Sequence, residues 1–446
     1  MKRVARLLSF LGAAGVVLGL SKVHAAYVAD PPYDFTGSTR FAWAIGYILL
    51  LWLAGYGFGL PDLPRSAREA TLVATGVSFS AAFGVSVLQL LVGDALLPRF
   101  VVLGSALLLI PWQVAVNALA RSGRARGEGR DRVVLVGTGE ELARLKIDLG
   151  LVPEQPAGLV AHLTPGAASA QDGVRPLVDR VLSERATLIV LDRTAQADHE
   201  VVAQAAVLHE SGVRVRTLVQ FYEEWLGKLP VGELERASLF FDISEIHRVR
   251  YARVKRLTDL AIGIVGLIPF LLSIPFVMLC NMVGNRGPLF YEQERVGRGG
   301  ESFQILKYRT MRSVALEGDH GSDWTAVDDP RITRFGKFLR GSHLDELPQM
   351  VNIVKGELSV VGPRPEQPRY VKELSASLPF YGMRHLVRPG LTGWAQVKYG
   401  YAGDEKDAME KLQYEFFYLR HQSMRFDLRV MGRTVRSVTG TEGGGR

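Results

Sequence analysis

Asp345 and Glu346 stand side by side in RITRFGKFLRGSHLDELPQMVNIVKGELSVVGPRPE, residues 331–366, a stretch otherwise rich in cations. Such an acid pair beside fixed arginines offers oxygens to a divalent cation and guanidiniums to a phosphate. Ser342 and Asp345 have capping-box spacing, and Pro348 limits where the following helix can begin. With Asp345 as N-cap, Pro348 falls at the third helical position, where its missing N–H breaks no intrahelical bond. Neighbouring helical residues point about 100° apart, so the two acids are expected to find different partners, one a substrate and the other a metal. An equally open reading makes both of them ordinary acids stabilising the positive end of a helix.

Their company favours chemistry. GPRPE (362–366) and RPGLTGWAQV (388–397) fix Arg364 and Arg388 among prolines and glycines, giving rigid loops whose guanidiniums suit bidentate phosphate contact. Lys307 and Arg309 in FQILKYRTM add two cations. Each alone reads as a solvated charge. Together with the acid pair they describe a site for a diphosphate and a divalent cation, Mg²⁺ because the visible ligands are oxygens. The sequence has no Cys/His metal set and no GxxxxGK[ST] loop, which argues against zinc chemistry and a Walker-type ATPase.

These residues need a scaffold, and 446 residues imply two or three domains. Apolar residues, 48% of the chain, concentrate in the first 120 positions and again near residue 270, a membrane signature. The formal charge of +8 then points to lipid phosphate and substrate phosphate rather than nucleic acid. Segments 4–23, 41–60, 70–92 and 100–120 each approach the length of a crossing. Lys2, Arg3 and Arg6 precede the first, Arg65 and Arg68 follow the second, and Arg121, Arg124, Arg126, Arg130 and Arg132 follow the fourth. The positive-inside tendency makes those places cytoplasmic and returns the chain to the cytoplasm after four spans. A cleaved signal peptide is the competing reading of the first segment, but no clear small-residue cleavage site follows it. The lone Cys280 reads as a packing residue.

After the connector SGRARGEGR, the run DRVVLVGTGEELARLKIDLG reads as strand, Gly turn and helix, the first unit of a doubly wound α/β domain. Further strands are expected at 157–162, 187–191 and 213–218, with a helix at 200–210. Gly137 and Gly139 begin a dinucleotide fingerprint, but Leu142 occupies the place of its third glycine and no acid ends the second strand. A structural or regulatory role is therefore expected, with nucleotide binding left open.

Residues 257–283 are long and apolar enough to cross a bilayer, yet basic residues lie on both sides: Arg248, Arg250, Arg253, Lys255 and Arg256 before, Arg286, Arg295 and Arg298 after. Pro269 and Pro275 each remove a backbone donor, so a bend is expected, with Ser273 near enough to serve a freed carbonyl. A helix that enters one leaflet, breaks and leaves by the same face satisfies charges and prolines together. The alternative is an ordinary fifth span with a kink. Ile332, Phe335, Phe338 and Leu339 recur at helical spacing beside Arg331, Arg334, Lys337 and Arg340, as in a helix at the lipid interface or a packed helix with a wet face. QYEFFYL (413–419) reads as core, and the Gly-rich tail 439–446 as disordered.

At these residues the sequence resembles the bacterial sugar transferase family, the monotopic polyprenyl-phosphate hexose-1-phosphate transferases. The matching pieces are KRLTDL with its proline-broken helix, LFYEQERVGRGGESFQILKYRTM, DDPRITRFGKFLRGSHLDELPQMVNIVKGELSVVGPRPE and VRPGLTGWAQV. They cover nearly all of residues 253–438. The resemblance implies a membrane α-helical N-terminal bundle of four spans (1–122), a Rossmann-like α/β domain (131–247) and a mixed, mainly α catalytic domain (251–446) with a re-entrant membrane helix. It places a multi-pass protein in the bacterial inner membrane, with its active site on the cytoplasmic face. The implied reaction moves a sugar 1-phosphate from a UDP-hexose, glucose or galactose, to undecaprenyl phosphate and releases UMP, as the large members do when they start exopolysaccharide or O-antigen units. Asp345 matches the family's nucleophile, Glu346 its magnesium ligand, and Lys307, Arg340, Arg364 and Arg388 its phosphate-contacting cations. The helix break falls at Pro275, preceded here by Ile274, with Ser273 one place earlier than in the smaller members. After GWAQV, KYGYAGDEKDAMEKLQYEF replaces the usual Asn-Gly-Arg run, which bears on sugar choice. The large members also imply a homodimer. Two other classes remain: a polyprenyl-linked glycosyltransferase releasing UDP, whose Asp-x-Asp motif the candidate region lacks, and a non-enzymatic membrane scaffold or nucleotide sensor centred on the α/β domain.

Overall fold

The computed structural model describes residues 2–60, 64, 67–92, 97–125, 131–151, 155–170, 174–230, 248–284, 287–311, 331–378, 380–399 and 405–438. Arg65, Arg126, Arg130, Arg286, the end of the connector and the 439–446 tail lie outside the described residues. The chain forms two compact units, one of residues 1–126, 250–403 and 422–446, the other of 127–249 and 404–421.

The first unit begins with α1 (Lys2–Val23), α2 (Thr39–Phe58), α3 (Ala67–Val92) and α4 (Arg99–Ala125). Their small and branched residues pack inward, among them Ala13, Val17, Ala44, Ala81 and Val101. Leu11, Leu49, Trp52, Phe79, Leu103 and Leu107 are left exposed. In water that apolar surface would be a liability, whereas against hydrocarbon it is ordinary. Together with a later helix, five helices among the described residues are long and apolar enough to cross a membrane by length and composition. The chain is therefore a membrane protein.

The second unit holds β1 (Asp131–Val136), α5 (Gly139–Gly150), β2 (Ala157–Leu163), α6 (Pro176–Ser183), β3 (Leu188–Leu191), α7 (His199–Glu210) and β4 (Arg214–Thr217). The four strands are all parallel, in the order β2-β1-β3-β4. Residues 133–136 and 188–191 are buried on both faces, as continuous apolar strands of a parallel sheet must be.

The long helix α8 (Arg248–Gly284) returns to the first unit and stays helical through Pro269 and Pro275. No stretch of non-helical backbone separates its halves, so the prolines act inside a continuous helix. Ser273 Oγ donates to the Phe270 carbonyl at 2.7 Å and lies 2.8 Å from the Tyr308 hydroxyl. Next come the antiparallel pair β5 (Phe290–Val296) and β6 (Ser302–Tyr308), then α9 (Arg334–Gly341) and α10 (Gln349–Lys355). The parallel pair β7 (Ser359–Val361) and β8 (Gly390–Thr392) follows. Helix α11 (Glu405–Arg420) belongs to the α/β unit, and α12 (Met424–Val438) to the first. The buried Lys228 ties α11 to the α/β unit, pairing with Asp148 at 2.7 Å and with Glu410. Tyr414, Phe416, Tyr418 and Leu419 are buried, so the aromatic run is core as expected.

Helix α9 meets the end of β6 at Gly336, where an added Cβ would lie 2.0 Å from the Thr310 carbonyl oxygen. That oxygen also accepts from Thr333 N at 3.2 Å, so neither backbone can easily give way. Gly336→Ala is expected to lower stability by about 1–3 kcal/mol, the usual cost of overpacking a fixed contact, read as a shift in thermal unfolding of the purified protein.

Candidate active site

The turn that carries the acid pair is built by three local rules. Thr333 caps α9 by accepting from Gly336 N at 2.9 Å, and Ser342 Oγ closes its far end on the Phe338 carbonyl at 2.8 Å. His343 then takes a left-handed conformation, φ 57°, a strained choice for a residue with a side chain. Leu344–Glu346 form one 3-10 turn, and Pro348, with no N–H to leave orphaned, precedes α10. The expected N-cap role of Asp345 is therefore corrected. Asp345 sits inside the 3-10 turn, Ser342 serves the end of α9, and the next helix starts four residues later.

The two acids do have different surroundings. Asp345 is buried, at 9% exposure. Burial, then the charge of Glu346, raise its pKa above the ordinary Asp value, against the pull of Lys307, Arg340 and His343. Glu346 accepts from Lys307 Nζ at 2.9 Å and lies 3.5 Å from Arg364 Nη2. Burial pushes its carboxyl up, but the charges of Lys307 and Arg364 and the Lys307 hydrogen bond outweigh it and hold the pKa at about 2. One acid is thus held as an anion, while its neighbour is made more basic.

Lys307 comes from β6, and Asn352 on α10 fixes that strand. Its side chain accepts from Leu306 N at 3.1 Å and donates to the Gln304 carbonyl at 2.7 Å. Arg340 Nε donates to Thr310 Oγ1 at 2.9 Å, and Arg384 Nη2 donates to the Arg364 carbonyl at 2.9 Å. Asn352, Thr310 and Arg384 escaped the sequence reading. Asn352 alone left a signal there, as a polar residue in the apolar run MVNIV. The Arg309 guanidinium donates to the Pro288 and Met311 carbonyls at 2.7 and 3.1 Å.

Lys307, Arg340 and Arg364 thus gather around Asp345 and Glu346. The Arg388 guanidinium feels the charges of Arg256, Arg298 and Asp259, and Gly390 N, two residues on, donates to the Pro363 carbonyl of the loop that carries Arg364 at 2.8 Å. Ser273 and Pro275 are further along α8, where Phe270, Val277, Tyr308 and Leu339 form a cluster joined by Phe335 and Leu344.

Among the described residues no group of three His, Cys, Asp or Glu side chains could hold a metal ion by itself. A magnesium ion needs only one or two carboxylates when substrate phosphates complete its shell. Glu346, ionised down to about 2, fits that requirement.

At the Gly137 turn of the α/β unit, Thr138 N donates to Glu141 Oε2 at 3.2 Å and to Asp192 Oδ2 at 3.1 Å. Two carboxylates therefore stand where a dinucleotide pyrophosphate would approach, and like charge disfavours it.

Residues 250–441 match the model of a family described as bacterial sugar transferase. The chain is 33% identical over 237 residues to a UDP-N-acetylgalactosamine-undecaprenyl-phosphate N-acetylgalactosaminephosphotransferase of Aeromonas hydrophila, covering 53% of this chain and 54% of that protein. It is 38% identical over 226 residues to a UDP-glucose:undecaprenyl-phosphate glucose-1-phosphate transferase of Xanthomonas campestris pv. campestris, covering 49% and 44%. An uncharacterized sugar transferase of Bacillus subtilis (strain 168) is 35% identical over 195 residues, which are 43% of this chain and 89% of that protein. The chain thus spans 54% and 44% of the length of the first two relatives.

Because the folded pKa of Glu346 is depressed, its ion pairs contribute stability above the ordinary value of 4.5, and that contribution is lost as pH falls toward about 2. Glu346→Gln is expected to be less stable than the native chain at neutral pH, with the gap narrowing steadily below about pH 4.5. Denaturant unfolding of both proteins between pH 7 and pH 3 measures it, and a constant gap would contradict the ion-pair account.

Proposed function

The chain belongs to the bacterial sugar transferase family, and from that premise we propose that it transfers a hexose 1-phosphate from a UDP-hexose to undecaprenyl phosphate, releasing UMP. Glucose and galactose are the sugars proposed first. The names of the Aeromonas and Xanthomonas relatives add N-acetylgalactosamine to the panel and support glucose. The reaction opens exopolysaccharide or O-antigen assembly at the cytoplasmic face of the bacterial inner membrane, in a homodimer as in the large members of the family. The observation that carries the proposal is the buried Asp345 next to a Glu346 that Lys307 and Arg364 keep ionised.

Asp345 attacks the phosphorus that bears the sugar. The bond from that phosphorus to the UMP oxygen breaks, UMP leaves with the electron pair, and a mixed carboxylic–phosphoric anhydride remains on Asp345. An oxygen of undecaprenyl phosphate then displaces the carboxylate, giving the polyprenyl diphosphate sugar and regenerating Asp345. Lys307, Arg340 and Arg364 lower the repulsion between carboxylate and diphosphate and stabilise the charge on departing UMP. Magnesium, held by Glu346 and substrate oxygens, would neutralise the diphosphate further. Arg388 is the fourth phosphate-contacting cation that the resemblance implies.

The helix α8 is proposed to re-enter rather than cross. Supporting this, it stays against the same polar domain along most of its length. Arg256 reaches the Ile353 and Val354 carbonyls near one end, and toward the other Phe276 packs edge-on to Phe335 of α9, with ring centroids 6.3 Å apart. A helix crossing to the far side would leave that domain.

The test is the nucleotide released when the purified chain receives Mg²⁺, undecaprenyl phosphate and a panel of UDP-hexoses. UMP is expected from the native protein, and Asp345→Asn should lose several orders of magnitude in turnover. The attacking carboxylate must be ionised, so activity should fall as pH drops through its raised pKa, above the ordinary 3.8. UDP as product, or UMP undiminished in Asp345→Asn, would refute the proposal.

A further inference from the structure

Gln349, the residue after Pro348, is 2% exposed, and its side-chain Nε2 has no hydrogen-bond partner among the described residues. Folding normally pairs a buried amide donor, because one left unmade carries its full desolvation penalty. A donor that persists unpaired inside a site is one that a bound group can satisfy.

The backbone puts Gln349 on the Asp345 side. From the 3-10 turn Leu344–Glu346 the chain runs into α10 without leaving the right-handed helical conformation, with Leu347 at φ −54°, ψ −38° and Pro348 at φ −58°, ψ −21°. Met350 N donates to the Leu347 carbonyl at 3.1 Å and Val351 N to the Pro348 carbonyl at 3.0 Å, so turn and helix are one continuous coil. Residues four apart on such a coil are neighbours, with Cβ atoms about 5–6 Å apart, and Asp345 and Gln349 therefore share a face. The same face continues to Asn352, three residues on, whose side chain grips the Gln304 carbonyl and Leu306 N of β6. Gln349 thus stands between the attacking carboxylate and the anchor that fixes the Lys307 strand.

The Asp345 carboxylate likewise makes no hydrogen bond or ion pair to a described residue. A nucleophile and a donor lie side by side, each without a protein partner. When phosphorus bonds to Asp345, its non-bridging oxygens come within reach of the side chain four residues on.

We propose that Gln349 is a further catalytic residue, whose amide N–H donates to a non-bridging oxygen of the sugar-bearing phosphoryl group while that group is joined to Asp345. Lys307, Arg340 and Arg364 act on the phosphates by charge, whereas Gln349 adds a neutral donor on the nucleophile's own helical face. The amide keeps its proton throughout, so the bonds made and broken are those of the transfer itself. Because the donor is satisfied only with the phosphoryl group in place, the interaction acts in the transition state rather than in substrate binding. The inference rests on the proposed transfer through Asp345.

Gln349→Met, close in length and volume but without the donor, tests it, with Gln349→Leu as the second variant should the first fail to fold. The purified full chains in detergent are compared by UMP release from an accepted UDP-hexose with undecaprenyl phosphate, and by thermal unfolding. The expected result is a kcat lowered by about 10²–10³-fold, the scale of losing one such donor, with KM for the UDP-hexose unchanged. Thermal stability is expected to equal or exceed that of the native chain, since an unpaired donor has left the interior. Native turnover in a folded variant overturns the role. So does a fall in activity matched by a fall in thermal stability, which makes Gln349 a packing residue. Should the native chain release no UMP, the transfer reading falls and this role with it, whereas UMP from the native chain and undiminished variants removes this role alone.

Discussion

The contact between α8 and α10 is the constraint on which the rest depends. A helix with one bare apolar side must hold a charged catalytic region against its other side. Arg256 does this by donating to the Ile353 and Val354 carbonyls at the C-terminal end of α10. A hydrogen bond from a charged donor is worth about 1.5–3 kcal/mol. Gly263 and Gly266 let the helices close in, since an added Cβ would lie 3.0 Å from Val354 and 2.5 Å from Met350. With α10 fixed, the 3-10 turn before it is fixed too, and Asn352 carries the registration across to β6 and Lys307. The membrane helix thereby sets where Lys307 meets Glu346.

That placement separates two neighbouring carboxylates by environment. Glu346 has two close cations and remains charged, and its charge helps raise the pKa of Asp345. An acid pair in which one member is held ionised and the other is made more basic is suited to divided labour, with one partner for a cation and one for a phosphorus. Thr310 and Arg384 support this indirectly, by fixing Arg340 and the Arg364 loop.

Much of the fold was legible because its signals are local. Strands of unbroken Val, Ile and Leu, such as residues 133–136 and 188–191, declare a sheet buried on both faces, and the apolar helices declare a membrane. The acid pair and its cations were also legible as residue types. The backbone beneath them was not, because capping-box spacing cannot reveal that His343 turns left-handed and moves the helix start beyond Pro348. Nor does the sequence distinguish Lys307, which reaches an acid, from Arg309, which donates to the Pro288 and Met311 carbonyls. The joining of α11 to the α/β unit through Lys228 is a long-range packing event with no local pattern.

The central claim is that Asp345 becomes covalently attached to the sugar phosphate. The direct measurement is peptide mass spectrometry of the full chain after incubation with Mg²⁺ and an accepted UDP-hexose, without undecaprenyl phosphate. The account predicts a hexose phosphate on the peptide bearing Asp345, discharged when undecaprenyl phosphate is added and missing in Asp345→Asn. If no adduct formed and UMP appeared only with both substrates present, transfer would be direct and Asp345 would not be the nucleophile.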